Sequence, residues 1–144
     1  MDIGKELRLF LVGQAVISDE IAQRMHPDGL PQGSTLPAIA YYVVSTVVED
    51  ELQDGAAGLS HAVLQIDCYA ATRSDANRIA SLLRTKQTAG GAGLQGFKGQ
   101  MGAAWVAGIL TQGGERYDRQ SLGDGTDEWQ YITSQDFRIS YIEQ

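Results

Sequence analysis

The segment Leu30-Pro31-Gln32-Gly33-Ser34-Thr35-Leu36-Pro37 runs straight into the apolar stretch from Ala38 to Val48, and this junction constrains the fold most. Proline fixes φ and pushes the residue before it towards extended backbone, so the segment ends a helical region and launches a strand. That strand is long. Ala38 to Glu49 is rich in Tyr, Val and Thr, with apolar residues on both parities. Such a pattern suits a strand covered on both faces, or a central strand beside a subunit contact.

Upstream, Ile3 to about Ile17 reads as an amphipathic helix: Ile3, Leu7, Phe10, Leu11 and Gln14 recur at helical spacing, with Lys5, Glu6 and Arg8 on the other side. Ser18-Asp19-Glu20 offers a cap hydroxyl and acidic residues for a short second turn of helix, which carries Ile21 and Met25 inward and stops at Pro27. Asp28-Gly29 is a turn signal. Downstream, Glu49-Asp50-Glu51 and Asp54-Gly55 mark a solvated turn. From His61 to Ala71, Leu64, Ile66, Cys68 and Ala70 alternate with Gln65, Asp67 and Tyr69, which predicts a second strand antiparallel to the first. Ser74 to about Lys86 predicts a helix, with Ser74 as N-cap, Asp75 at its positive end and a stripe of Ala76, Ile79, Ala80 and Leu83.

Six glycines crowd the run from Thr88 to Gly102, predicting a loop that stays flexible unless something orders it. Ala103 to Gln112 reads as a third strand, Gly113-Gly114 as a turn, and Glu115 to Ser121 as a short further strand or a loop. After another turn at Gly123-Asp124-Gly125, Trp129 to Glu143 forms the last strand, with Phe137, Ile139 and Tyr141 on one face. The order predicts a single α+β domain over residues 1–144. Its expected form is a mostly antiparallel four-stranded (or slightly larger) sheet with two main helices packed on one face.

With 144 residues the chain can bury roughly 70% of its unfolded surface as one domain. Its net charge of −7 opposes tight binding to a phosphate backbone. The single cysteine, Cys68, precludes an internal disulfide and reads as a buried, inert thiol suited to a reducing cytoplasm. Asp2 and Glu6 stand where the basic region of a signal peptide would be, and the longest apolar run is too short to span a bilayer.

Catalytic and cofactor patterns find little support. Gly96-Phe97-Lys98-Gly99 precedes a strand and lacks a hydroxyl after its lysine, unlike a phosphate loop. The two histidines, His26 and His61, have no Cys or carboxylate at ligand spacing. Asp124 and Asp127 read as turn residues rather than an acid–base pair, and Ser60 and His61 point to opposite faces of a strand. The expectation is a protein without catalysis, metal or cofactor. The aromatic residues point elsewhere: Tyr41, Tyr42, Tyr69, Trp105, Tyr117, Trp129, Tyr131 and Tyr141 fall largely on strands, several on the face opposite the core, where aromatics often mark a protein contact.

An ordered set of short segments carries a resemblance. Arg24-Met25-His26-Pro27 follows the first helix; then come Leu30-Pro31-Gln32-Gly33, Leu36-Pro37-Ala38-Ile39 and Gln65-Ile66-Asp67-Cys68-Tyr69-Ala70. Ser74-Asp75-Ala76, Leu94-Gln95-Gly96-Phe97-Lys98-Gly99, Glu115-Arg116-Tyr117-Asp118 and Phe137-Arg138-Ile139-Ser140-Tyr141 complete it. In this order, along nearly the whole chain, the sequence resembles the tail-terminator (tail-completion) proteins of long-tailed bacteriophages, prophages and gene transfer agents. The Gly90 to Gly93 stretch is longer than the family's usual loop.

The resemblance implies a non-enzymatic assembly protein: a homohexameric ring at the head-proximal end of the tail tube, assembled in the host cytoplasm and retained in the virion. The implied partners are further copies of itself, the tail tube protein and the head–tail connector, while DNA passes through without specific binding. An acidic wall fits that passage, and head-to-tail contacts require two different adhesive surfaces on each subunit. Tyr42, Tyr69, Phe97, Lys98, Met101, Arg116, Tyr117 and Trp129 are the candidate interface residues. Another connector component, a stopper or adaptor, is the nearest alternative, followed by a small ligand-binding domain or enzyme with an acidic pocket.

Overall fold

The structure, a computed structural model, describes residues 1–51, 55–122 and 128–143. In chain order the elements are α1 (Ile3–Val12), α2 (Ala15–Ile21), β1 (Met25–Pro27), β2 (Ala38–Glu51), β3 (Gly55–Ala70), α3 (Arg73–Arg84), β4 (Gly99–Met101), β5 (Ala104–Ser121) and β6 (Trp129–Glu143). The strands form one curled, half-barrel sheet in the order β1-β2-β3-β6-β5-β4. β1 runs parallel to β2, and every other pair is antiparallel.

This corrects the expected architecture. The sheet has six strands rather than about four, it is mixed, and three helices accompany it. Both additional strands are three residues long and hide in segments whose composition argues against them: Met25-His26-Pro27 ends in a helix breaker, and Gly99-Gln100-Met101 closes the glycine run. Register supplied by a neighbouring strand, not local propensity, makes them extended.

The first helical region is two helices. Asp2 caps α1 through its side chain, which accepts from the Lys5 amide, and Gly13 ends it. α2 then starts at Ala15, so Ser18 lies within it rather than at its cap. α3 is capped by the Thr72 hydroxyl, two residues before the expected cap at Ser74. Its buried stripe is Ala76, Ile79, Ala80 and Leu83, as the spacing predicts. Burying Ile79 and Leu83 is worth about 1.5–3 kcal/mol each.

All three helices contribute to one core with the same sheet face. Leu7 and Leu11 of α1, Ile17 and Ile21 of α2, and Ile79 and Leu83 of α3 meet Leu64, Ile66, Phe137, Ile139 and Tyr141. The glycine run is tied to the chain's own backbone. The Ala92, Gly93 and Leu94 amides donate to the carbonyls of Leu82, Thr85 and Leu83, so the run closes the C-terminal end of α3 and buries Leu94. A Cβ at Gly91 would fall 2.1 Å from the Thr85 carbonyl oxygen, which explains why this close approach requires glycine.

Gly113-Gly114 also departs from expectation. β5 continues through it to Ser121, and the glycines occupy a bulge where two extra residues separate Gln112, opposite Asp136, from Arg116, opposite Ser134. An even insertion preserves the alternation of faces, so the distal half of β5 keeps its sidedness. The predicted turns at Asp54-Gly55 and Gly123-Asp124-Gly125 fall wholly or partly outside the described residues, as do Asp124 and Asp127.

Candidate interaction surfaces

The sheet face opposite the helices divides into three zones. At one end Ala40, Tyr69 and Ile132 form a small second core, roofed by Leu30, Leu36 and Tyr42. The junction segment that launches β2 thus doubles as a cover, and its Leu36–Pro37 peptide is cis. Across the middle lies a polar band: Arg116 makes a paired hydrogen bond with the Asp136 carboxylate at 2.9 and 3.2 Å, and the Gln65 amide donates to Asp67 at 2.9 Å. The Asp136 carboxylate, with Asp67 near, holds the Arg116 guanidinium above its ordinary range, so it stays charged.

The far end of this face is uncovered. Register places Val47 beside His61, His61 beside Ser140, Leu110 beside Arg138, and Trp105 beside Ile142. Val47 on β2 is 58% exposed and Leu110 on β5 60%, high for apolar side chains on one sheet face. The His61 ring and the Ser140 hydroxyl lie 2.8 Å apart within the patch. Val43 and Val48, paired with Leu64 and Ser60 on the helix side, and Val44 in a bulge are exposed as well.

A second exposed cluster occupies the helix side of the β5–β6 hairpin, beyond the N-terminus of α3. Arg73 donates to the carbonyls of Ile132 (2.6 Å) and Asp118 and to the Thr133 hydroxyl. Its guanidinium lies 5.3 Å from the Tyr117 ring centre and 5.4 Å from that of Tyr131. Arg119 stacks at 4.3 Å on Trp129. Guanidinium–aromatic stacking of this kind gives flat, rigid, amphipathic surface. Nearby, Arg84 pairs with Glu115, whose other oxygen accepts from the Tyr117 hydroxyl.

Of the residues expected at an interface, Tyr117 and Trp129 come together in this second cluster and are exposed. Arg116 lies on the opposite face, in the polar band. Tyr42 and Tyr69 are neighbours in the small second core, and Tyr69 is buried. Phe97 packs edge-on against Phe10 at 4.9 Å, while Met101 belongs to the main core, which withdraws its side chain from the surface. Lys98 is exposed beside them. The sequence reading missed the valines of β2, Leu110, Ile142 and the pair Arg73 and Arg119. Apolar residues on both parities of β2 carried the signal for the valines; nothing local marks the arginines.

Burial pushes the Cys68 thiol far up, reinforced by Asp67, so it remains protonated and shielded. Among the described residues no group of three or more His, Cys, Asp and Glu side chains is placed to hold a metal ion. No described helix is long and apolar enough to cross a membrane. An open groove of about 550 Å³, lined in part by Asp2, Lys5, Tyr41 and Thr46, runs beside β2. Compared with protein-family models and with curated proteins, the chain matches none.

Proposed function

We propose that this chain is a non-enzymatic assembly protein of the tail-terminator type, forming a ring that caps a phage tail tube and joins it to the head. The observation that carries the assembly reading is the presence of two chemically different exposed surfaces on one subunit. One is aliphatic, around Val47 and Leu110; the other is a guanidinium–aromatic stack, around Arg119 and Trp129. A closed ring of identical subunits joined head to tail requires two such unlike surfaces, whereas a symmetric dimer needs one. The tail role rests on the ordered sequence resemblance, and the net charge of −7 suits a passage through which DNA slides.

Light scattering of the purified protein, with electron microscopy alongside, tests the reading. The expected result is closed rings near six times the 15.6 kDa chain mass, which shorten and cap tubes when mixed with polymerising tail-tube protein. A particle of lower symmetry that leaves tube length unchanged would refute the terminator role.

A further inference from the structure

We infer that neighbouring copies join edge to edge, the open half of β2 pairing antiparallel with the open half of β5 on the next copy. This rests on the self-assembly part of the proposed function, not on the tail role. β1 covers β2 only at residues 39–41, and β4 covers β5 only at residues 104–106. Beyond these, among the described residues, no strand lies outside either one. On the outer side of β5 the Ile109 carbonyl accepts from the Gly96 amide, and the Thr111 amide donates to the Gln95 side chain. Exposed edges are normally blunted by lysine, proline or a covering element. Residues 42–48 of β2, Tyr-Val-Val-Ser-Thr-Val-Val, contain neither residue, and their valines are exposed. The bulges at Val44 and at Gly113-Gly114 bend the two strands but leave residues 45–48 and 116–121 regular.

Two observations select a second copy as the occupant. The two open edges lie on opposite sides of one sheet and run in opposite directions, so copies placed side by side continue an antiparallel ladder. The offset is also that of a closed barrel. Through β3, residues 42–48 lie level with residues 136–141 of β6, whereas residues 110–121 of β5 lie level with residues 138–129. The centres differ by about five residues, roughly 17 Å at about 3.3 Å per residue. Spread over four strands about 4.8 Å apart, this is a strand tilt of about 40°, within the ~35–45° of closed barrels.

Hydrogen exchange followed by mass spectrometry at rising protein concentration, with mass measured in parallel, tests the pairing. The expected result is exchange slowed at least about tenfold at both 42–48 and 116–121, in step with assembly. An oligomer that forms with neither edge protected overturns the pairing and leaves the ring reading standing. Protection of β2 alone in a dimer indicates β2-to-β2 pairing and also overturns it. Both edges protected in an open filament upholds the pairing and refutes the closed ring. A monomer at every concentration overturns both.

Discussion

Tyr69 shows how much a single side chain reveals about its surroundings. It sits in the small second core beneath the segment that precedes β2. Burial, with Tyr42 and Asp67 adding to it, pushes its phenol well above the ordinary tyrosine range. The folded protein therefore holds this proton more tightly than the unfolded chain. Its contribution to stability is complete below about pH 10 and is lost as pH rises above it, at up to about 1.4 kcal/mol per pH unit. Urea unfolding at pH 9, 10 and 11 should show this decline, and Tyr69→Phe should flatten it. An unchanged slope in the variant would mean that Tyr69 ionises freely. Cys68, Tyr41 and Tyr141, also raised by burial, contribute to the remaining decline.

Among the elements, α3 and the β5–β6 hairpin are bound most specifically, because Arg73 satisfies three acceptors and stacks between two rings. Arg73→Ala should cost about 1–3 kcal/mol and speed amide exchange at residues 117–121 and 130–133. Arg73→Lys should recover little, since an ammonium lacks the planar fork. Unchanged exchange in Arg73→Ala would show that the hairpin stands without this staple. How much was legible in the sequence follows a similar division. Alternation and capping mark β6 with the bounds Trp129–Glu143, and they mark the buried stripe of α3. Their signals are carried by consecutive residues. β1, β4 and the continuation of β5 through Gly113-Gly114 depend on strands distant in sequence. The candidate surfaces divide likewise: Tyr117 and Trp129 are conspicuous as residue types, but Met101 looks no different from an exposed methionine until α1 and the sheet enclose it.

For the whole molecule, the distribution of exposed aliphatic surface matters more than any single contact. Val47 and Leu110 are more than half exposed and touch the main core little, so Val47→Lys/Leu110→Lys should change monomer stability by no more than about 0.5 kcal/mol. Association should weaken by about tenfold or more, since each lysine must lose water wherever that face is covered. Sedimentation velocity over a concentration series, beside thermal unfolding, separates the two effects. Equal self-association in the variant and the parent would remove this patch from any subunit contact.

The shared core has a consequence in time. Residues 3–12 pack with Phe137, Ile139 and Tyr141, and the Met1 amine lies 3.7 Å from a Glu143 carboxylate oxygen. During synthesis α1 must therefore wait for β6, and the long loop between them must close before that packing rewards it. β5, too, enters the sheet only once β6 lies between it and β3. The second edge of the sheet, at β5, is therefore placed only after β6 has paired with β3.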